Sequence, residues 1–391
     1  MFLFDKFKTS QQPFYSGDGN ISVRWKTYLK TFPHFAAEST AAIDTDGNFY
    51  FGSHSGNFYS LDINGTIRWS FSTEKKIYGS PFLHKDKVYF IGGDGIAYCL
   101  CQNNGEIHWT KDLKEGYYDN AQQKLYQEIV NIKYTLNVKR KMLMNTKSWS
   151  SPTFVNGQVI VTGFGKGLYA LNAENGEEVW SKDWGFPRYQ LCGVVLDEDN
   201  NIYSVSRKGY TFCYDSNGNE HWSKKVAKGW SAWGNPTYNS HRKQVYYPFS
   251  IGEQKGIIIA QGKNGEIIWK TKLSKAIHGS VAISSDNNLY CADFAGFIYK
   301  IDSINGQILK QVKVSNAVRA LWTTPTIDPN NDVYISTKDS IITGRIIKFD
   351  SDLNEKWSYK TNKVLSIPVI LENGDICFGG WDGYYYCLKT K

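Results

Sequence analysis

A chain of 391 residues with 41% hydrophobic and 21% charged residues is long enough for two or three average domains or for one large repeat architecture. Its formal net charge of +8 is spread along the sequence rather than gathered in blocks. That balance permits an anionic ligand and does not call for a nucleic-acid partner. An aromatic content of 15%, with 35 Gly and only 3 Met, indicates many short strands joined by glycine turns.

The chain opens with "MFLFDKFKTSQQPF", where Asp5, Lys6 and Lys8 interrupt the apolar start before a signal-type core forms, and no later stretch approaches a membrane span. The seven cysteines are odd in number, with no CxxC and no adjacent pair. They fit reduced thiols used as small apolar strand residues, so the expected compartment is the cytoplasm, with no membrane and no nucleic-acid partner.

The first repeat unit is "NFYFGSHSGNFYSLDINGTIRW", ending at Trp69, and "KVYFIGGDGIAYCLCQNNGEIHW", ending at Trp109, repeats its frame. Each reads as strand, glycine turn, strand, Asn-Gly turn, and a strand carrying Trp. The frame returns up to Trp180, Trp222, Trp269, Lys310 (in the Trp place) and Trp357, at steps of 40, 71, 42, 47, 41 and 47 residues. Before each unit stands a step of two small residues, usually followed by Pro, as in "IYGSPFL", "SWSSPTF", "AWGNPTY" and "LWTTPTI". That step begins an inner strand A, so each unit holds four strands, A to D.

Four-stranded units repeating about every 40 to 45 residues predict a β-propeller. The last unit, "DICFGGWDGYYYCLKTK", stops after strand C, and "GDGNISVRWKTYL" near the N-terminus supplies the missing strand with Trp25. The expected fold is therefore all-β: one domain over residues 1–391, an eight-bladed propeller of four-stranded blades closed by its N-terminal strand. One long step marks an insertion at residues 113–147, between blades two and three. Its apolar Ala121, Leu125, Ile129, Ile132 and Leu136 follow helical spacing, with Asp119 as a cap and Lys139, Arg140 and Lys141 at the far end. It is expected to form a lid over the funnel or a docking helix.

The run "GxxxGxxYxLDxxNGxxxW" resembles the repeat of the pyrroloquinoline-quinone (PQQ) type propellers, a superfamily of quinoprotein alcohol dehydrogenases and BamB-type outer-membrane assembly lipoproteins. The resemblance extends from about Asp18 to Lys391 and implies the propeller fold; such folds host enzymes and scaffolds alike. For the dehydrogenases it implies a quinone held between a Trp floor and a vicinal disulfide, with calcium beside it. Here Cys99 and Cys101 straddle Leu100, no CxxCH haem motif occurs and no acidic cluster marks a calcium cage, so no cofactor and no metal are expected. BamB-type proteins are anchored through a lipidated N-terminal Cys, and no Cys precedes Cys99.

In a propeller, the D-to-A connections and B-to-C turns open on one face. The frame puts Ala37, Tyr78, Trp149, Leu191, Trp233, His278, Trp322 and Leu365 at equivalent places around its funnel. Five of these eight carry a ring, which suits stacking on a flat ligand, although rings also plug a wide channel. Tyr78, Trp149, Arg188, Tyr189, Trp230, Trp233, His278, Arg319 and Trp322 are the expected ligand-binding residues, and His278, Glu38 and Tyr78 the candidate acid–base groups. We therefore expect the funnel to bind an aromatic or anionic small molecule, with cofactor-free cyclase, isomerase or lyase chemistry as its catalytic form. The alternative is a non-catalytic protein–protein interaction scaffold using the funnel face and the insertion, and a PQQ-dependent dehydrogenase ranks below both.

Overall fold

A computed structural model describes residues 8–29, 37, 39–73, 75–113, 150–163, 166–184, 192–206, 209–229 and 231–390. They form eight antiparallel sheets arranged as the repeat predicts. Blade one is typical: Ala42–Ile43, Phe49–Gly52, Asn57–Leu61 and Ile67–Ser72 run outward in sequence order. In blade five the inner position is split, Ser231–Ala232 and Thr237–Asn239 both pairing with Gln244–Ile251.

Blade eight takes Val369–Ile370, Ile376–Gly379 and Tyr384–Thr390 from the C-terminal end of the chain, and Ile21–Tyr28 pairs outside them. The register runs from Ile21 opposite Thr390 to Tyr28 opposite Tyr384. The ring is thus closed by hydrogen bonds between its two ends, as expected. Of the insertion 113–147, Leu113 is buried and accepts a hydrogen bond from the Tyr169 hydroxyl at 2.8 Å; the expected helix lies outside the described residues.

Blades are joined by two clasps that explain the repeated motifs. At the outer edge, seven D strands carry a Trp whose indole Nε1 donates to a carbonyl at 2.7–3.2 Å; six reach the next blade, as Trp109 does to Ala173 and Trp222 to Lys263, and Trp357 reaches Gly17 before the closing strand. The neighbouring turn glycine lies against the indole face: a Cβ on Gly176, at φ +74°, would stand 2.6 Å from the Trp109 ring. In blade six, Lys310 replaces the indole and reaches Asn354 of the next blade at 2.9 Å.

At the axis, the small-small step forms the second clasp. The second small residue accepts, through its side chain, the backbone N–H of its counterpart one blade back: Thr40 N–H to Ser80 Oγ, Ser80 N–H to Ser151 Oγ, Gly193 N–H to Asn235 Oδ1 and Ser280 N–H to Thr324 Oγ1. The first small residue permits this approach, since a Cβ on Gly79, Gly234 or Gly279 would collide with the next blade's carbonyl at 2.1–2.5 Å. Where Thr follows the Pro position, its hydroxyl adds a bond to the next blade, as Thr237 does to Val281 O at 2.8 Å.

An element with no counterpart in the repeat closes the opposite face. Residues 8–17 cross the A-strand ends of blades six, seven and eight: Ile283 N–H donates to Thr9 O at 2.9 Å, Gln12 N–H to Ile327 O at 2.8 Å, and Ile370 N–H to Gln12 Oε1 at 2.6 Å. Gly17 O then receives the Trp357 indole, completing the outer clasp between blades seven and eight. Lys8, only 2% exposed, runs into the channel, where a Cβ on Gly193 would lie 2.7 Å from its Nζ.

Trp109→Ala removes a 6%-exposed indole and leaves the Ala173 carbonyl without its donor. It is expected to lower unfolding stability by about 3–5 kcal/mol, read as an earlier denaturant midpoint; an unchanged midpoint would refute the outer clasp.

Candidate functional site

The funnel face lies over the inner clasp, and among the described residues the D-to-A connections deliver Tyr78, Trp233, His278, Trp322 and Leu365 to its mouth. Tyr78, Trp233, His278, Trp322 and Leu365 line a cavity of about 130 Å³, floored by the clasp residues Thr40, Ser80, Ser151, Asn235, Ser280 and Thr324. Four of the expected site residues, Tyr78, Trp233, His278 and Trp322, are therefore brought together. Glu38, Trp149, Arg188, Tyr189 and Trp230 lie outside the described residues.

The rings form two groups. Over blades five to seven, Trp233 stacks on His278 with centroids 4.6 Å apart and planes 11° apart, and Trp322 meets His278 edge-on at 5.1 Å. Phe294 completes this group at 4.2 Å from His278 and 5.1 Å from Trp322. Over blades one, two and eight, Tyr78 packs edge-on against His54 at 4.7 Å, and His54 meets Trp381 at 5.9 Å. The Lys363 ammonium sits 3.1 Å from the centre of the Trp381 ring, an arrangement that cation–π attraction favours.

Phe294 and Trp381 were missed in the sequence because rings were aligned only at the D-to-A step. They and His54 all stand two residues before the B-to-C turn glycines Gly296, Gly383 and Gly56, and that register was the available signal.

Arg319 is at the rim in a left-handed backbone conformation, φ 55°, with its carbonyl accepting the Trp322 indole N–H at 2.9 Å. Its guanidinium pairs with Glu253 and lies over the Trp322 ring at 5.9 Å. It is thus committed to the protein itself. The B-to-C carboxylates are likewise used internally: Asp94 accepts the Tyr98 hydroxyl at 2.7 Å and Asp293 the Tyr299 hydroxyl at 2.8 Å, while Asp382 binds Tyr386. Burial pushes the Asp293 carboxyl above its ordinary range.

His278 is the central group. Burial among the rings lowers its pKa to about 3, so the imidazole is neutral at physiological pH, and its Nδ1 is buried without a hydrogen-bond partner. Its ring contacts are Trp233, Phe294 and Trp322, while Tyr78 belongs to the other group. Among the described residues, no three of His, Cys, Asp and Glu gather as a metal-binding group.

The described residues do not fit a quinone cofactor. The would-be floor is occupied by rings stacked on one another, and about 130 Å³ is well below the ~300 Å³ at which small-molecule pockets begin. No two cysteines are adjacent to form a vicinal clamp.

The family described as "Outer membrane protein assembly factor BamB" matches residues 22–130, 168–247 and 254–376. The chain belongs to this family of PQQ-like β-propellers. A protein named outer membrane protein assembly factor BamB, from Burkholderia pseudomallei, is 20% identical over 334 residues, covering 82% of this chain and 75% of the relative. Among solved structures, BamB from Moraxella catarrhalis superposes with a TM-score of 0.68 at 14% identity, over 95% of this chain and 98% of that one. Quinohemoprotein alcohol dehydrogenase from Comamonas testosteroni gives 0.74 at 12% identity, over 99% of this chain and 79% of that one. At these identities the structural likenesses concern the fold.

The expectation of a cytoplasmic protein is corrected by these relatives, which are named for outer-membrane protein assembly. It rested on reduced cysteines, but six of the seven are buried in the blades as small apolar residues, an environment that does not report the redox state outside. Among the described residues, no helix is long and apolar enough to cross a membrane.

The imidazole's position gives a pH prediction. Because its ordinary pKa is 6.5 and its folded value about 3, the unfolded chain takes up a proton that the folded chain refuses between those values. Stability must therefore fall as pH drops below 6.5, by up to about 1.4 kcal/mol per pH unit from this group. Replacing His278 with Phe should flatten the difference in denaturant stability between pH 7 and pH 4.5, and an unaltered slope would contradict the burial.

Proposed function

We propose that this propeller is a non-catalytic protein-interaction scaffold, acting in the assembly of envelope proteins as its family relatives are named to do. One observation carries this view beyond family membership. The channel is packed with the chain's own groups, with stacked rings at the funnel face and Lys8 running in from the other. Rings packed on one another in this way stabilise the axis, and they leave the loops of the face as the surface available to partners.

Cyclase, isomerase or lyase chemistry receives no support from these groups. A general base works best with a pKa near the working pH, and His278 is held at about 3. Small-ligand binding retains one supporting observation, the unpartnered His278 Nδ1 beside a cavity floored by hydroxyl groups. A compact polar molecule with a donor suits that place, with Tyr78, Trp233 and Trp322 around it. Glu38, Trp149, Arg188, Tyr189 and Trp230 remain candidates for the same face.

The test is co-purification of the affinity-tagged full chain from detergent-solubilised envelopes of its source cells, with a metabolite thermal-shift panel run in parallel. A scaffold is expected to bring down a defined protein partner in fixed stoichiometry. It should show no metabolite shift that Trp233→Ala abolishes. A metabolite shift lost in Trp233→Ala, without a stoichiometric partner, would overturn the scaffold in favour of ligand binding.

A further inference from the structure

The most exposed large apolar side chains among the described residues lie on two adjacent loops. Val318 is 76%, Ile341 83% and Ile342 69% exposed, whereas the isolated apolar residues of the outer strands reach at most 55%. Val318 belongs to the connection between blades six and seven; Ile341 and Ile342 form the tip of the B-to-C turn of blade seven. Both loops open on the funnel face.

Hydrogen bonds hold the two loops side by side. Lys338 N–H donates to Ala320 O at 2.9 Å, Lys338 Nζ to Val318 O at 2.8 Å, and Ser315 Oγ to Lys338 O at 2.9 Å. The turn tip is fixed as well, since Ile342 O accepts the Lys363 N–H at 2.8 Å and the Ser340 hydroxyl caps Ile342 and Thr343. Aliphatic side chains displayed on a braced loop are a recognisable interaction feature, because exposing them costs solvation free energy that a partner can recover.

The charge around the patch indicates what that partner carries. Its carboxylates have internal partners: Asp339 pairs with Arg345 at 2.7 Å, Glu253 with Arg319, and Asp382 with the Tyr386 hydroxyl and Asn362. Two ammonium groups, by contrast, are held by neutral oxygens, Lys338 on the Val318 carbonyl and Lys275 on Gln254 Oε1 at 2.6 Å. The rim thus has positive charge left over for a second molecule.

We infer that the blade-seven corner of the funnel face, centred on Val318, Ile341 and Ile342, docks a polypeptide segment of another protein in which aliphatic or aromatic side chains alternate with Asp and Glu. This rests on the scaffold function proposed above and gives that function a surface. Burial of the partner's apolar groups on the three side chains supplies affinity, and its carboxylates opposite Lys338 and Lys275 supply orientation and salt dependence.

The probe is a fluorescently labelled 12-residue synthetic peptide of alternating Leu or Phe with Asp or Glu. Two counterparts carry Asn/Gln or Lys in place of the acids, and all are titrated with the full chain. The acidic peptide is expected to bind at least about tenfold more tightly than the amide peptide. The double variant Ile341→Asp/Ile342→Asp should lose that binding at an unchanged melting temperature, because both residues stand at a solvent-exposed turn tip. Lys338→Met combined with Lys275→Met should abolish most of the weakening produced by raising NaCl from about 0.05 to about 0.3 M.

Equal binding of the three peptides, or binding indifferent to the double variant, would overturn the assignment. So would light scattering showing that wild type dimerises and the variant does not, or vesicles of anionic lipid competing for the patch. If the tagged wild type captures a stoichiometric partner and the double variant captures it equally, the patch falls while the scaffold stands. If neither captures one, the scaffold itself falls.

Discussion

The structure depends on a ring of inter-blade hydrogen bonds around its axis. A propeller buries both faces of each sheet against its neighbours, so the inner strands converge where side chains have least room and backbone N–H groups must still be paired. The small-small step resolves both demands. Gly79, Gly234 and Gly279 let adjacent backbones approach, and the side chains of Ser80, Ser151, Asn235 and Thr324 receive the N–H groups of the blade before them. The Trp clasps at the periphery do the same job where there is space for a large ring.

From that geometry the character of the funnel follows. Because the step fixes the inner strand, the residue just before it is held over the channel, as Tyr78, Trp233, His278, Trp322 and Leu365 are. In this chain Trp233, His278 and Trp322 use that place to pack on each other with Phe294. The neutral imidazole at their centre is a consequence of this packing. It is stable there as a flat, uncharged ring and is poorly suited to proton transfer near neutral pH. The same fold holds a quinone in the dehydrogenases that it resembles, so the difference lies in the side chains set on the scaffold.

Much of the architecture was legible in the sequence because its signals are local. Asn-Gly turns, the Trp of strand D and the small-small-Pro step recur at near-constant spacing, and the truncated last unit pointed to Ile21–Tyr28 as the closing strand. The arm at residues 8–17 was not legible, since its partners Ile283, Ile327 and Ile370 lie more than 270 positions away and its pairing follows no repeat pattern. At the site, the convergence of Tyr78, Trp233, His278 and Trp322 could be read from register. Their mutual stacking could not, because side-chain direction over a channel is set by neighbours from other blades. The carboxylates of the B-to-C turns, Asp94, Asp293 and Asp382, cap their own turns. The compartment misled because buried cysteines look alike on either side of a membrane.

Hydrogen–deuterium exchange on the full chain, alone and with the partner it captures, tests the central claim that the axis is self-filled and the surrounding loops do the binding. The account predicts slowed exchange at residues 314–320 and 338–343, with no change at 78–82, 277–283 and 321–327, where the inner clasp already protects the backbone. Protection appearing instead around the small-small steps, with the blade-seven loops unaffected, would place the ligand in the channel and contradict it.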